Sequence, residues 1–293
     1  MPVPPIRKIV IPVAGYGTRF LPFTKSIPKE MLPIVDRPVI QYIVEEAVEA
    51  GIDQVILITG YSKRAIEDYF DYNLELEYLL EKSGKLAQRK LIRDISDIAK
   101  FIYVRQKEQL GNGHAILQAK EVIGNEPFVM VWGDEVYSGT PSKVRQVIEA
   151  YNHHEGPVLS VMQRSKDSDY DKYGYVKIGK KYDDGIFQVD EVVEKPGAGN
   201  KISPYAFISC CVLTPDIFPK LEQQQAGKGG EIWLVDALNT LLQERPAYAK
   251  ELTGLTYFDC GNKLEYMKAT VHFALQREDI GADFKTYLQD LLK

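Results

Sequence analysis

The sequence has few cysteines and no long apolar run. Its 293 residues include 3 Cys and 2 Trp, and no Cys-x-x-Cys pair occurs. We therefore exclude a disulfide framework and a zinc ribbon, and expect reduced thiols in a cytoplasmic protein. No stretch reaches the roughly 20 apolar residues that a membrane-spanning helix needs. Residues 1–5 lack the charged start and apolar core of a secretion signal, so we expect no membrane association.

Positive charge is also scarce. The 36 Lys and Arg residues against 41 Asp and Glu residues give a formal net charge of −5. A protein that binds nucleic acid without sequence preference needs a basic surface, so we expect no nucleic-acid partner. A local phosphate site needs only a few well-placed cations and remains compatible with this charge. With 45% hydrophobic and 26% charged residues, the composition is that of a folded globular protein.

Short apolar runs alternate with amphipathic stretches through the first half of the chain. Buried strands are predicted at 9–14, 55–58, 101–104 and 128–131. Helices are predicted over 38–50, ending at Gly51, and over 113–122. Strands separated by helices indicate a parallel sheet with helices on both faces, which is an α/β fold.

The pattern changes in the second half. The polar, Leu-rich segment 63–98 predicts two or three inserted helices, and residues 157–213 are β-rich. Asp183, Asp184 and Gly185 predict a hairpin turn between two of these strands. From about 262 onward the chain is expected to be helical. One domain over 1–293 is the simplest interpretation, with a mixed, mostly parallel central sheet flanked by helices.

A glycine-rich loop follows the first predicted strand. It contains Ala14, Gly15, Gly17, Thr18 and Arg19. Glycines at a strand end let backbone amides approach a phosphate or a base. A dinucleotide-binding loop is excluded because position 20 is Phe and because Pro22 and Pro28 prevent a continuous helix. A Gly-Lys-Ser/Thr phosphate loop is absent. A long cation-rich loop after the first strand is typical of a functional site.

The loop residues, together with motifs further along the chain, resemble those of a known protein family, and the resemblance covers residues 7–290 approximately. The chain resembles the sugar-nucleotide pyrophosphorylases (nucleotidyltransferases), and in particular the bacterial UTP–glucose-1-phosphate uridylyltransferase branch. The motifs that carry the resemblance are Gly15-x-Gly17-Thr18-Arg19, Pro28-Lys29-Glu30-Met31-Leu32-Pro33, Gln106, Leu110-Gly111-Asn112-Gly113-His114-Ala115, Tyr173-Gly174, Glu194-Lys195-Pro196, Glu231-Ile232-x-Leu234-x-Asp236-Ala237 and Asp259-Cys260-Gly261-Asn262-Lys263. The resemblance implies a Rossmann-like (GT-A-like) fold with a nucleotide-binding half at about 1–140, a β-rich sugar-binding half at about 141–260 and a helical tail at 261–293.

The implied reaction joins two polyanions. An oxygen of a sugar 1-phosphate attacks the α-phosphorus of a nucleoside triphosphate, and pyrophosphate leaves. The nucleophile is already an anion, so catalysis rests on positioning and charge neutralisation rather than on a general base. Arg19 is predicted to hold the departing phosphates through its guanidinium fork. By resemblance, Lys29 contacts the α-phosphate and Lys195 contacts the sugar phosphate.

Two carboxylates are candidate ligands for Mg²⁺, the expected cofactor. Asp134 follows the strand 128–132 and should lie at the edge of the sheet where α/β proteins bind ligands. We place Asp259 in the comparable position after the strand 255–258. Two carboxylates, together with phosphate oxygens and waters, suit a cation that prefers oxygen ligands. Glu135 is the second choice because its side chain is longer.

The resemblance also implies the substrate contacts. The expected substrates are UTP and glucose 1-phosphate. The residues matching positions around uracil are Ala14, Gly15, Glu30, Gln106 and Gly111. Gly174 and Glu194 match positions that bind glucose hydroxyls, and Gly17 and Thr18 belong to the substrate-binding loop. We expect a homo-oligomer. His114 is predicted to be structural rather than catalytic.

Several positions differ from the usual motifs and leave alternatives open. They are Trp132-Gly133, Ser209-Cys210-Cys211, Trp233 and Val235. Most lie in the β-rich half, so sugar preference is the property most open to change. The same chemistry with dTTP remains an alternative, because one methyl group on the base is worth only about 1–3 kcal/mol. A second alternative is the same chemistry with another hexose 1-phosphate. A third is a sugar-nucleotide sensor without catalysis.

Overall fold

The computed structural model of the chain describes residues 5–225, 227 and 230–293, without the side chain of Ser209. The strands are β1 Lys8–Pro12, β2 Pro33–Ile34, β3 Arg37–Pro38, β4 Gln54–Thr59, β5 Lys100–Arg105, β6 Phe128–Val131, β7 Glu135–Gly139, β8 Val158–Gln163, β9 Gly174–Lys181, β10 Ile186–Glu194, β11 Tyr205–Leu213, β12 Tyr248–Glu251 and β13 Leu255–Asp259. The helices are α1 Val39–Glu49, α2 Arg64–Phe70, α3 Leu74–Lys82, α4 Leu86–Ser96, α5 Asn112–Leu117, α6 Lys120–Ile123, α7 Lys143–His154, α8 Ile217–Gln223, α9 Leu234–Leu242, α10 Lys263–Leu275 and α11 Gly281–Leu291.

The described residues build a nine-stranded central sheet in the order β5-β4-β1-β6-β11-β8-β12-β10-β9. Strands β5, β4, β1 and β6 are parallel neighbours, and β12 is parallel to β8. Strands β10 and β11 run antiparallel to their neighbours. The predicted mixed, mainly parallel sheet flanked by helices is therefore confirmed. Its parallel part carries the helical crossovers that parallel pairing requires.

The sheet separates two apolar cores. Along β1, Ile9 and Ile11 pack into one core and Val10 packs into the other, as expected for alternating side chains. The adjacent Cys210 and Cys211 follow the same rule, since each is buried in a different core. Both are free thiols, and so is the buried Cys260. Among the described residues, no helix has the length and apolar character required to cross a membrane.

Most predicted helices and the predicted turn are confirmed. Segment 63–98 forms the three helices α2, α3 and α4, and the tail forms α10 and α11. Gly51, two residues beyond the end of α1, adopts φ +97°, a conformation that side chains disfavour. Asp184 and Gly185, with φ values of 57° and 68°, make the β9–β10 hairpin turn. These elements depend on local signals, which is why their positions are visible in the sequence.

Two predictions need correction. The helix expected over 113–122 is broken into α5 and α6. Gln118 and Ala119 donate their backbone N–H groups to Ala115 and Ile116, three residues back, which tightens the end of α5 and ends its regular course. The strand before Asp259 does not belong to the central sheet. It pairs antiparallel with β7 in a separate two-stranded sheet, where Asp259 lies opposite Glu135.

Candidate active site

A cavity of about 780 Å³ opens at the edge of the central sheet where the parallel strands β1 and β6 end. Its wall begins at Pro12, the last residue of β1, and includes Asp134, just beyond β6. The wall also includes Glu194, the last residue of β10, and Trp233, the residue before α9. Ligands of α/β proteins bind at the carboxyl ends of such strands. The fold therefore supplies a single concave surface between its parallel and its antiparallel parts.

The glycine-rich loop forms one rim of this cavity. A Cβ added to Gly15 would meet nothing within 4 Å, so the backbone is open to a ligand. Gly17 has a different role, because its φ of +65° starts the short 3₁₀ turn Thr18–Phe20. A Cβ on Gly17 would lie 3.1 Å from Cβ of Lys29. The glycine thus lets the loop pack against the segment that carries Lys29.

Lys29 and Asp134 form an ion pair with 2.5 Å between Nζ and Oδ2. Their side chains are only 20% and 13% exposed, so water screens the pair weakly. Burial acts to lower the pKa of Lys29, but the carboxylates of Asp134 and Glu30 together outweigh it and the pKa lies above its ordinary value. Burial acts to raise the pKa of Asp134, but Lys29 and Arg19 together with a backbone hydrogen bond outweigh it and the pKa lies below its ordinary value. Both groups are therefore charged at neutral pH.

Asp259 lies beside Asp134 because the pairing of β13 with β7 returns the chain to this edge. The Cys260 N–H donates to the Asp134 carbonyl at 2.9 Å. A Cβ on the buried Gly261 would lie 2.6 Å from Asp134 Oδ2 and 2.9 Å from Asp259 Oδ1. Burial and the charge of Asp134 raise the pKa of Asp259, and Arg19, 3.8 Å away, opposes the shift. Two carboxylates thus converge on one point that only a glycine leaves open.

This convergence fits a divalent cation that takes part of its coordination from elsewhere. Within the described residues, no group of three or more His, Cys, Asp or Glu side chains is arranged to hold a metal ion alone. Asp134 and Asp259 nevertheless both offer carboxylate oxygens close to the same point beside Gly261. Mg²⁺ is usually bound through one or two carboxylates, with substrate phosphates and waters completing the octahedron. The donor set therefore suits Mg²⁺ bound together with a phosphorylated substrate.

At another part of the cavity wall, Glu30 and Lys63 form a deeply buried ion pair. Their side chains are 1% and 2% exposed, and Lys63 Nζ lies 2.8 Å from Glu30 Oε2. Oε1 of Glu30 has no hydrogen-bond partner among the described residues. Burial raises the pKa of Glu30 above its usual range, against the opposing charge of Lys63. Glu30 lines the cavity, so this buried carboxylate lies close to the space that a ligand would occupy.

The loop between β5 and α5 supplies the amide side chains. Gln106 donates through Nε2 to the Gly111 carbonyl at 3.3 Å, and its Nε2 lies 3.0 Å from His114 Nδ1. Gln109 donates to the Ala14 carbonyl at 2.8 Å. Gly111 must be glycine here, because a Cβ would lie 2.5 Å from the Ile232 carbonyl oxygen. The contact between Gln106 Nε2 and His114 Nδ1 shows that His114 helps to hold the Gln106 side chain in place.

Glu194 and Lys195 also line the cavity. Lys195 Nζ lies 3.3 Å from Glu194 Oε1. Burial raises the pKa of Glu194, and the neighbouring Lys195 opposes the shift. A Cβ on Gly174 would lie 3.2 Å from Glu194 Oε2, so a side chain there would crowd the carboxylate. Lys195 has φ 44°, a left-handed conformation that non-glycine residues seldom adopt and that is concentrated at functional sites.

Comparison with known proteins decides the family. The model of the nucleotidyl transferase family matches residues 8–276. The chain belongs to this family. The UTP–glucose-1-phosphate uridylyltransferase of Staphylococcus epidermidis is 44% identical to this nucleotidyltransferase over 286 residues, 98% of each chain. The protein of the same name from Bacillus subtilis is 43% identical over 291 residues, which cover 98% of this chain and 97% of that one.

Solved structures agree with this assignment. UDP-glucose pyrophosphorylase from Acinetobacter baumannii has a TM-score of 0.87 and 39% identity to this nucleotidyltransferase, with 98% of this chain and 99% of that chain covered. A UDP-glucose pyrophosphorylase complexed with UDP-glucose has a TM-score of 0.83 and 39% identity, covering 93% of this chain and 100% of that chain. The resemblance inferred from the sequence motifs is confirmed.

The cavity of this nucleotidyltransferase brings together most of the residues singled out in the sequence. Those that line it are Ala14, Gly15, Arg19, Lys29, Glu30, Gln106, Gly111, Asp134, Gly174, Glu194, Lys195 and Asp259. Gly17 and Thr18 are not among the lining residues. Sequence reasoning missed Lys63, Gln109 and the site role of Trp233. Lys63 could not have been found, because no spacing rule connects it with Glu30. Gln109 could have been found, because it directly precedes the motif that begins at Leu110.

Proposed function

We propose that this nucleotidyltransferase transfers a uridylyl group from UTP to glucose 1-phosphate, giving UDP-glucose and pyrophosphate. The names of its relatives support the substrates, as does a UTP-bound structure from Acinetobacter baumannii with a TM-score of 0.87 and 39% identity. The observation that carries the proposal is one cavity lined by both the Lys29–Asp134 pair and the Glu194–Lys195 pair. Such a cavity offers an ammonium group to each of two phosphorylated substrates.

The proposed chemistry is a direct in-line displacement. A phosphate oxygen of glucose 1-phosphate forms a bond to the α-phosphorus of UTP, and the bond from that phosphorus to the bridging oxygen of pyrophosphate breaks. Lys29 neutralises charge at the α-phosphate, Arg19 binds the departing pyrophosphate and Lys195 holds the attacking phosphate. No proton has to be removed from the nucleophile, so the reaction needs no general base. This agrees with a structural role for His114, which holds the Gln106 side chain in place.

Asp134 and Asp259 are the proposed ligands of Mg²⁺. When bound, this cation would neutralise phosphate charge and orient the triphosphate. The support for this assignment is the convergence of both carboxylates beside Gly261. Lys29 contacts the Asp134 carboxylate, so its ammonium lies close to the place where the substrate phosphate and the metal would meet.

The remaining cavity residues are proposed to recognise the base and the sugar. For uracil we propose the residues Ala14, Gly15, Glu30, Gln106 and Gly111. A uracil imide offers an N–H donor, and Glu30, which lines the cavity, carries a carboxylate that can accept a hydrogen bond. Gly174 and Glu194 are proposed for the glucose hydroxyls. Gly17 and Thr18 complete the substrate-binding loop by shaping it, since Gly17 packs against Lys29.

We also propose the division into a nucleotide-binding half at about 1–140, a sugar-binding half at about 141–260 and a tail at 261–293.

Exposed apolar side chains on the tail, including Leu264, Met267 and Tyr287, support a homo-oligomer. A cytoplasmic location is proposed from the three free, buried cysteines.

The test is pyrophosphate release with UTP, dTTP, CTP, ATP and GTP, each combined with glucose, galactose and N-acetylglucosamine 1-phosphates in the presence of Mg²⁺. The proposal expects strong turnover with UTP and glucose 1-phosphate. Preferred turnover with dTTP or another sugar would keep the chemistry and overturn the substrate assignment. A folded protein that binds UTP and releases no pyrophosphate with any pair would support a sensor instead.

A further inference from the structure

Trp233 lies in the cavity at a position where the usual motif has no tryptophan. The chain has 2 Trp, Trp132 and Trp233, and both line this cavity. Nζ of Lys195 lies 5.4 Å from the centre of the Trp233 ring. At this distance an ammonium is attracted to the face of an indole. The Lys195 ammonium therefore has two partners, the ring of Trp233 and the carboxylate of Glu194, 3.3 Å away.

Lys195 needs such partners because little else restrains it. Its side chain is 47% exposed, and a free lysine side chain carries about 2 kcal/mol of rotamer entropy. Glu194 alone would attract the ammonium but would leave the direction of approach open, since an ammonium binds as a point charge. A flat ring on a second side restricts the ammonium to the space between ring and carboxylate.

The backbone around Trp233 is itself fixed to the loop that carries Gly111. Ile232 donates its N–H to the Leu110 carbonyl at 2.7 Å, and Gly113 donates to the Ile232 carbonyl at 2.9 Å. The Leu234 N–H donates to Oδ1 of Asn112 at 2.9 Å. These bonds hold the segment before α9 and the loop 110–113 as one unit. The indole is therefore presented to Lys195 from a rigid support rather than from a free loop.

We infer that Trp233 is a positioning residue that holds the Lys195 ammonium in place for the phosphate of the sugar 1-phosphate. The identity of that ligand rests on the proposed function. Trp233 acts through Lys195, so its loss weakens binding of the sugar phosphate and leaves binding of the nucleotide unchanged. An indole that instead contacted the sugar directly would act independently of Lys195, and the experiment below separates the two.

The kinetic test compares KM values for glucose 1-phosphate and UTP in the wild type, Trp233→Leu and Trp233→Phe. Trp233→Leu is expected to raise the KM for glucose 1-phosphate about 3- to 10-fold, the change that one lost cation–π contact produces, with the KM for UTP unchanged. Trp233→Phe, which keeps a ring, should restore most of the affinity. Equal changes in both KM values, or no rescue by Phe, would overturn the inference.

A matched control and a double variant complete this test. Tyr72→Leu removes an exposed ring that lies 4.1 Å from Arg93, in the helical insertion outside the cavity lining. It should change neither KM value. In a Lys195→Ala background, Trp233→Leu should have no further effect on the KM for glucose 1-phosphate, because the two residues act as a unit. Additive effects of the two substitutions would contradict the inference.

Fluorescence tests the contact without any turnover. In a Trp132→Phe protein, Trp233 is the remaining tryptophan, and Lys195→Ala in that protein removes the ammonium from its ring. The ligand-free emission spectrum of Trp233 should change in maximum or intensity. Identical spectra with and without Lys195 would overturn the inference. Because no substrate is present, this result stands even if the wild type fails to release pyrophosphate, which would count against the proposed function alone.

Discussion

Lys29 Nζ and Asp134 Oδ2 lie 2.5 Å apart, although 105 positions separate the two residues in the chain. Lys29 comes from a short 3₁₀ turn after Pro28, and Asp134 comes from the segment beyond β6. The pair thereby places the ammonium proposed to contact phosphate beside a carboxylate proposed to bind the metal. Asp259 adds a second carboxylate from a strand outside the central sheet. The part of the cavity around Lys29, Asp134 and Asp259 is therefore assembled from three segments that are distant in the chain.

Asp134→Asn is expected to lower kcat at saturating Mg²⁺ by at least about 100-fold, because an amide cannot replace a carboxylate facing the metal and Lys29. The fold should survive, since the amide keeps the shape of the side chain. The measurement is pyrophosphate release, with circular dichroism as the check on folding. Asp183→Asn, on the exposed β9–β10 turn, is the matched control and should retain full activity. Near-normal turnover by Asp134→Asn would remove the metal assignment.

Lys195→Ala is expected to raise the KM for glucose 1-phosphate by about 10- to 100-fold, the value of one charge-assisted hydrogen bond. The KM for UTP should stay close to that of the wild type, because Lys195 is proposed to contact the sugar phosphate, whereas Lys29 and Arg19 are proposed to contact the triphosphate. Steady-state kinetics with each substrate varied in turn measures both values. An equal loss for the two substrates would mean that the lysine contacts the triphosphate instead.

Gly261→Ala should lower kcat by about 10- to 100-fold without direct removal of any catalytic group. The new Cβ would lie 2.6 Å from Asp134 Oδ2 and 2.9 Å from Asp259 Oδ1, so it would push the two carboxylates apart. The apparent affinity for Mg²⁺ should fall as well, which a titration of activity against metal concentration measures. Gly199→Ala is the control, because a Cβ there would meet nothing within 4 Å. If Gly261→Ala bound Mg²⁺ normally, the convergence of the carboxylates would not matter.

The thiols of the folded protein are expected to be unreactive. Burial raises the pKa values of Cys210, Cys211 and Cys260 above the ordinary thiol value, and reaction proceeds through the thiolate. At pH 8 an aromatic disulfide reagent should therefore label the native protein very slowly and leave its activity intact. After unfolding in urea, all 3 cysteines should react. Rapid labelling of one thiol in the native protein would show that the chain opens around it.

The sequence predicts the elements whose signals are local. The apolar run of β4 and the spacing of Ile40, Ile43 and Ala47 in α1 indicate a strand and a helix without knowledge of their partners. The residues proposed to contact phosphate, such as Arg19 and Lys29, are recognisable because they occur in ordered motifs. Both kinds of prediction rest on neighbours in the chain.

What the sequence does not predict depends on distant partners. The position of Asp259 follows from antiparallel pairing of β13 with β7, two short strands that are separated in the chain by helices α7, α8 and α9 and by strands β8 to β12. Lys63 meets Glu30 only after folding, across 33 positions, so nothing in its surroundings distinguishes it from a surface lysine. Trp233 stands out as a departure from a motif, but its contact with Lys195 requires the structure.

The central claim is tested most directly by pyrophosphate release from UTP, measured with and without glucose 1-phosphate and with Mg²⁺ or with a chelator. Direct displacement in a metal-dependent site predicts pyrophosphate only when UTP, glucose 1-phosphate and Mg²⁺ are all present, in amounts equal to the UDP-glucose formed. Release from UTP without the sugar phosphate would indicate a covalent uridylyl-enzyme or hydrolysis. Full activity in the chelator would contradict the role assigned to Asp134 and Asp259.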